Sequence, residues 1–566
     1  MGPLGNQRLV EVEDRLPRVL ELLASEGGVV VPTPVRPLPI GRVGEVLGRL
    51  RAPAPVVFDE GPAWPAWLRG PSVSSTEQRV LGFDLRPPLV FHDDTFAAEV
   101  GFGAGPEIYS RGSVVGVGPA WDYGWNRRQP IAALDAQATL HLVPEGLLDA
   151  WGRVTFDLTQ DHNLFEQPQP REVRNNIPPL AGTDVTLPHR AVVALGGPAW
   201  NLHLGRDRLD VGNGQMGNLA ISDAVDFYDF GSLQLFVPWF TWTTTMMRLD
   251  PTLLGDELAL PGMDRLRAQE KHVVLHRFEV VLLEKVHVGL MEGVTIGGVA
   301  PDLRFLNPLL VLHDLYPWNE VSAYVAAAYV FEVEATVVPV RGLRLWGQAA
   351  LNQYQSDFER ERYGDVAAGI PNAMAGLAGL ELCAPLPLDL GLAVPVWLAA
   401  GMTLHVFAGV EVVETNPWFG VRENPLVSSF SRRRLTSNLP GGEEYVDQPL
   451  GWRFGPDSRV WRAWLGVLDV GAGDIEIGME HREQGQHDLR TAYEEGAAAV
   501  ALTTPTGVSE EQWVFTLRSE LLPLRFDRFT LSVHLDYQHF WIANLNHLSG
   551  ATLDDHQLAL GLSLRL

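Results

Sequence analysis

Flat aromatic rings beside planar polar groups make up the residue mixture that holds a sugar, because a pyranose presents C–H patches and hydroxyls together. Two stretches of this 566-residue chain supply it. The first carries Trp121, Tyr123, Trp125, Asn126, Arg127 and Arg128. The second carries Trp418, Phe419, Arg422, Arg432, Arg433, Arg434, Tyr445, Trp452 and Arg453. The run of three arginines stands out in a chain of net charge -26, and it could hold acidic sugars or lipopolysaccharide phosphates. The plainer alternatives are a solvated loop face for the arginines and, for the tryptophans near strand ends, the aromatic girdle that membrane barrels place at both rims.

Catalytic and metal chemistry find little support. The chain has no Gly-x-Ser-x-Gly elbow and no His-Glu-x-x-His pair. His534, His539, His547 and His556 lie close in sequence, but their spacing matches no metal motif and reads as scattered lumen or rim positions. Cys383 is the only cysteine, which rules out an internal disulfide framework and a multi-cysteine metal site. The expectation is therefore no enzyme, no cofactor and no metal. The strong negative charge also argues against a nucleic-acid partner, since phosphate binding needs basic surface, and in any lumen it favours cations over anions.

The elements that carry these residues are strands. From Trp513 the odd positions Trp513, Phe515, Leu517 and Leu521 are apolar, and Thr516, Arg518 and Glu520 between them are polar. The same period of two runs through Phe529, Leu531, Val533, Leu535 and Tyr537, and again through Leu558, Leu560, Leu562, Leu564 and Leu566. A soluble sandwich also alternates. Charges in mid-strand on the polar face, and an apolar residue in register at position 566, fit better a wall with lipid outside and water inside. Composition agrees: 46% hydrophobic residues and a mean hydropathy of +0.02 are too polar for a helical membrane protein and ordinary for a barrel with a wet interior.

Turn chemistry gives the count. Eight short turns alternate with nine long loops after about residue 95, so seventeen connections join eighteen strands, and the even number puts both ends of the barrel on one side. One short turn is expected at Pro385 to Asp389. Leu390 to Val410 is apolar enough to score as a membrane helix, but its alternation of large and small residues reads as a strand, with Trp397 and Phe407 as exceptions. Ahead of the barrel, residues 7 to 24 have helical spacing, and Ile40, Val43, Leu47 and Leu50 mark a second helix. Residues 1–80 are thus expected to form a helical periplasmic cap or plug and residues 81–566 the barrel.

Residues 204 to 223 (LGRDRLDVGNGQMGNLAISD) resemble the capsule-assembly Wzi family of outer-membrane proteins through Gly205, Arg206, Gly212, Gly214, Gly217, Leu219, Ser222 and Asp223. His276, Arg277, Gly289, Glu292, Gly297, Gly298, Asn307 and Pro308 are similar to the family's later positions. An aromatic before the glycine-rich segment is replaced here by Asp210 and Val211, and the usual Asn after Ser-Asp is Ala224. The resemblance implies an eighteen-stranded barrel that binds polysaccharide at the cell surface without being an enzyme. In the residues themselves, the glycines permit backbone turns that side chains would block, which predicts a loop folded into the lumen.

These readings converge on a transmembrane antiparallel β-barrel with a short helical N-terminal region, in the outer membrane of a Gram-negative-type bacterium. Its expected partners are outer-membrane lipids, lipopolysaccharide and surface polysaccharide. The alternative is a porin for cations or small neutral solutes, and a third reading is a soluble β protein without export. Met1 to Val10 carries no charged-then-apolar signal, so the barrel reading expects an export signal already removed.

Overall fold

Alternating residues become long strands because each strand can then bury one face and show the other to a second solvent. The computed structural model describes residues 7–10, 15–51, 90–92, 96–105, 107–111, 132–142, 148–160, 183–259, 270–300, 303–307, 311–312, 326–354, 356–363, 371–386, 404–436, 443–470, 472–491, 503–525 and 530–565. In it eighteen antiparallel wall strands close into a single barrel.

The wall begins with β1 (Phe96–Ala104, continued by Glu107–Arg111), β2 (Ala132–His141), β3 (Asp149–Gln160), β4 (Thr183–Gly197), β5 (Trp200–Asp207) and β6 (Tyr228–Val237). It continues with β7 (Phe240–Leu249), β8 (Lys271–Leu282), β9 (Val286–Gly297), β10 (Ala326–Val340), β11 (Leu343–Gln353) and β12 (Ala373–Leu386). It ends with β13 (Leu404–Thr415), β14 (Ser458–Asp469), β15 (Gly473–Gln484), β16 (Glu510–Arg525), β17 (Thr530–Ala543) and β18 (Thr552–Arg565). Each pairs with the next, and β18 closes on β1 by matching Gln557–Gly561 to Arg111–Glu107. Closure joins the last strand to the first, as a wall in hydrocarbon requires. Where β1 breaks, a side chain at Gly105 would meet the Leu562 carbonyl oxygen at 2.4 Å, so only glycine lets the two strands close there.

The two faces differ as the pattern predicts. Leu134, Leu204, Leu235, Leu290, Phe331, Leu345, Leu380, Leu465, Ile475, Ile477, Leu560, Leu562 and Leu564 stand outward and exposed. Glu332, Glu334, Glu381, Glu411 and Arg344 stand inward and are buried, because the lumen is filled. At the end opposite the short turns, Trp461, His481, Trp513 and Trp541 form one cross-strand row along β14 to β17, with Trp513 and Trp541 41% and 42% exposed. At the short-turn end Trp239 is 62% exposed. Such aromatic rims flanking an aliphatic band are what two membrane interfaces demand.

Several sequence boundaries move. Residues 9 and 10 are not helical: Leu9–Val10 pairs with Leu38–Pro39, and the first helix, α1, is Arg15–Gly27. Pro17 explains the late start, since proline is tolerated only in a helix's first turn. The second helix, α2, runs Ile40–Arg51. Of the short turn expected at Pro385 to Asp389, Pro385 and Leu386 belong to β12, with Pro385 paired to His405, and residues 387–389 lie outside the described residues. Of the strand expected over 390–410, the described part starts at Leu404, and residues 387–403, Trp397 among them, lie outside the described residues. Phe407 does face the lumen, where it packs with α1 beneath Arg18.

One segment lies on the outside of the wall. His276, Glu292 and Phe331 share a register row whose face is outward, since Phe331 is exposed. Yet His276 is buried, because Phe305 and Leu312 from the loop after β9 pack over Val274, Val294 and Ile296. The Leu312 amide donates to Glu292 Oε2 at 2.8 Å, and His276 Nε2 lies 3.0 Å from the Phe305 carbonyl oxygen. His276 and Glu292, two of the family-like positions, thus clip a strap to the wall.

Candidate functional site: the filled lumen

Three segments enter the barrel: the N-terminal residues with α1 and α2, the glycine-rich loop between β5 and β6, and the long loop between β13 and β14. α1 is amphipathic in an unusual sense. Leu16, Val19, Leu20, Leu22 and Leu23 bury against Trp346, Phe407 and Trp464 of the wall, while its charged residues also point at the wall. Arg15 Nε donates to Asp474 Oδ2 at 2.7 Å. Arg18 pairs with Glu381, a carboxylate that also accepts from Arg344 at 3.2 Å and from the Trp464 indole at 3.1 Å. Glu21 accepts from Arg344 at 2.7 Å and pairs with Arg36, and Glu26 accepts from the Cys383 thiol at 3.1 Å beside His405. Burial alone would raise the Glu21 carboxyl, but Arg344, Arg36 and Arg18 hold it down at about 2.

The glycine-rich loop sits above this layer. Asp210–Val211 adds to Val35–Arg36 as a two-stranded sheet, so loop and N-terminal segment are stitched together. Gly212 has φ +140°, and a Cβ there would lie 2.3 Å from Gln348 Nε2 and 2.4 Å from Asn218 Oδ1. Only glycine permits both the conformation and the approach. From this turn Asn213 donates to Ala335 O and Thr336 Oγ1 of β10, both at 2.9 Å. The Gln215 and Met216 amides donate to Glu411 of β13 at 2.9 and 2.7 Å, and Leu219 N donates to Gln348 of β11 at 3.1 Å. The loop therefore spans the lumen between opposite parts of the wall. Asp210 is buried beside Asp223, and both effects push its carboxyl up to about 7 although Arg36 opposes them.

The third segment closes over the second. Ser222 N donates to Leu450 O at 2.7 Å, and Trp452, fully buried, donates its indole hydrogen to Ser458 Oγ at 2.8 Å. The Gly217 Cβ position faces the Trp452 ring at 3.9 Å. Lys271 of β8 donates to the Ser428 and Phe430 carbonyl oxygens at 3.1 and 2.9 Å, holding the loop down. Between the N-terminal segment and the wall there remains a cavity of about 20 Å³ lined by Glu21, Asn213, His287, Thr336 and Arg344 among others, room for about one water.

The sugar-binding candidates fall into two groups. Trp121, Tyr123, Trp125, Asn126, Arg127 and Arg128 lie outside the described residues. Those of the long loop are mostly engaged with the loop itself. Trp418 is buried against Ala373 and Val421 and packs on His487 with the rings tilted 52° and their centroids 4.8 Å apart. Phe419 is in the lumen core, Arg422 donates to the Tyr329 and Asn352 carbonyl oxygens at 3.2 and 2.6 Å, and Arg453 donates to Glu480 at 2.9 Å. Arg432 is buried between two carboxylates, at 2.6 Å from Glu257 Oε2 and 2.7 Å from Asp447 Oδ1. Arg433, Arg434 and Tyr445 lie on the hairpin formed by Phe430–Thr436 and Glu443–Pro449. Arg206 pairs with Asp229 on the outer rim at 2.8 Å, Asn307 is exposed on the strap, and Pro308 lies outside the described residues. Two of the four late histidines meet, His539 and His556 being register partners on the outer face beside Trp541, whereas His534 is on the lumen face and His547 in the last loop. The charged face of α1 escaped the sequence reading, although Arg15, Arg18, Glu21 and the apolar stripe overlap in a way a solvated helix would not show.

Fold and site together define a β-barrel of the outer-membrane type whose lumen is filled by its own chain. No family model and no curated protein matches the sequence. Among solved structures the chain is similar to Wzi of Escherichia coli, an outer-membrane protein involved in group 1 capsule assembly and described as a carbohydrate-binding β-barrel. The TM-score is 0.54 at 11% identity, over 98% of this chain and 98% of that one. OpdK of Pseudomonas aeruginosa with vanillate aligns at TM-score 0.41 and 11% identity over 83% of this chain and 98% of that one. OccK2 of the same organism aligns at 0.40 and 10% over 83% and 97%. At these identities the likeness is one of fold.

Proposed function

We propose that this chain is an outer-membrane barrel that does not conduct but binds surface or capsular polysaccharide and helps anchor or assemble it at the cell surface. The observation that carries the reading is the lumen: three segments cross it, tied to the wall by buried ion pairs at Arg18, Glu21 and Glu26 and by the Gln215 and Met216 amides on Glu411. A pore for cations needs a continuous wet path, and the inward carboxylates Glu21, Glu381 and Glu411 that would line it are engaged by arginines and amides instead. The outward aliphatic band between aromatic rims supports the membrane placement. The binding part of the reading draws on what Wzi is described as doing, and on the family-like residues Gly205, Gly212, Gly217, Ser222 and Asp223, which lie in or beside the lumen loop. On that reading the chain is a divergent relative of the Wzi family. The contact surface would be the loop end of the barrel, with Arg433, Arg434 and Tyr445 on the hairpin and Trp121, Tyr123, Trp125, Arg127 and Arg128 in the first long loop.

The test is glycan binding by proteoliposomes carrying the full chain, against arrays of acidic and neutral bacterial polysaccharides. Retention of at least one polysaccharide, lost when Arg433 and Arg434 are both changed to Ala, is the expected result. Proteoliposomes that bind none would remove the lectin reading and leave the membrane barrel in place.

A further inference from the structure

Beneath the N-terminal segment, three neighbouring strands direct ionisable side chains to one spot on the lumen wall. Glu279 on β8 and Glu334 on β10 both pair in register with Gly289 of β9, and His287 is the next inward residue of β9. A side chain at Gly289 would lie 2.8 Å from both the Arg277 guanidinium and Glu334 Cγ, so glycine leaves the space these groups use. All are buried, and one ligand atom from each of Glu279, His287 and Glu334 lies within 4.8 Å of the others.

The hydrogen-bond arrangement is incomplete in an informative way. His287 Nε2 is 3.1 Å from Glu279 Oε1, and the Thr33 hydroxyl of the N-terminal segment lies 3.0 and 3.1 Å from the two Glu279 oxygens. Arg277 takes Glu334 Oε1. His287 Nδ1 and Glu334 Oε2 have no hydrogen-bond partner among the described residues. A neutral imidazole that donates from Nε2 to Glu279 turns its Nδ1 lone pair toward Glu334, 3.7 Å from Oε1. Two buried acceptors facing each other are unfavourable unless a proton or a cation stands between them. The separation exceeds a hydrogen bond, and two ligands each about 2.1 Å from a tetrahedral zinc ion are about 3.4 Å apart. A carboxylate on the far nitrogen is also how proteins orient a metal-binding imidazole. Charge points the same way: two carboxylates, Glu279 and Glu334, face the one guanidinium of Arg277, which leaves negative charge at the spot for a cation to balance.

We propose that His287 and Glu334, with Glu279 beside them, bind one divalent transition-metal ion of the Zn²⁺ class, a structural ion that fixes β8 to β10 under the N-terminal segment. Imidazole and carboxylate donors suit that class better than Ca²⁺ or Mg²⁺. The site is independent of any glycan, so a barrel without zinc could still bind polysaccharide.

The full chain is refolded from denaturant into detergent with zinc chloride, because a buried site fills during folding. It is then freed of loose metal by gel filtration and assayed by atomic emission. The expectation is about one zinc per folded chain, reduced at least tenfold in His287→Ala and in Glu334→Gln and unchanged in Arg206→Ala on the outer rim. Wild-type protein without zinc, or either site variant retaining a full equivalent, overturns the proposal and leaves His287 hydrogen-bonded to Glu279 with no ion beside it. Should neither variant fold, the wild type refolded with cobalt(II) decides: a tetrahedral ligand-field absorption band upholds the site, and its absence overturns it.

Discussion

At the scale of single residues, the long loop shows how the same side chains serve recognition or packing according to what surrounds them. Arg432 reads from sequence as part of a basic surface run, but it is buried between Glu257 and Asp447. Changing it to Ala leaves Glu257 without its guanidinium, while Asp447 keeps Arg490 at 2.6 Å, and is expected to cost roughly 3 kcal/mol, measured by urea denaturation of the folded barrel in detergent. A cost near zero would mean that the arginine is dispensable to the loop. Asp210 and Glu21 set opposite pH dependences on the stitch between loop and N-terminal segment. Asp210, raised from 3.8 to about 7, is harder to ionise when folded, so its contribution declines as pH rises through that range. Glu21, lowered from 4.5 to about 2, contributes fully above 4.5 and loses its effect as pH falls. The stitch should therefore be tightest near about pH 4, and hydrogen-exchange protection of the Val211 amide should fall as pH rises from about 4 to about 7. In Asp210→Asn that decline should disappear; an unchanged decline would assign it elsewhere. None of this was legible in the sequence, because residues more than a hundred positions apart meet in the lumen.

At the scale of elements, which residues face outward and which inward was legible, and what covers the inward face was not. Leu560, Leu562 and Leu564 on β18 and Ile475 and Ile477 on β15 alternate outward as their spacing dictates, since period two needs only local information. What covers an inward face depends on the inserted segments. The glycine pattern at Gly212 and Gly217 did announce a loop that must turn sharply, and the structure shows why: Gln348 and Asn218 crowd Gly212, and Gly217 has φ +125°. The strap over His276 and Glu292 left no trace, because its partners are two polar residues on an otherwise apolar face. The aromatic row on β14 to β17 makes a prediction at this scale. In variants keeping one tryptophan each, Trp513 and Trp541 should be quenched by brominated phospholipids and Trp452 should not. Equal quenching of Trp452 would place the long loop against lipid instead of inside the barrel.

At the scale of the whole molecule, closure and filling are the two properties from which the rest follows. Closure satisfies the backbone where no water is available, and filling converts a lumen lined with carboxylates into a packed interior. The strand count was readable because short turns and long loops alternate. The filling was readable only as an expectation for one loop and one helical segment. The most direct measurement is the conductance of the full chain reconstituted in planar bilayers. Inserted protein that carries no steady current is the predicted result, and a steady cation-selective open-channel current would contradict the filled lumen and with it the proposed role.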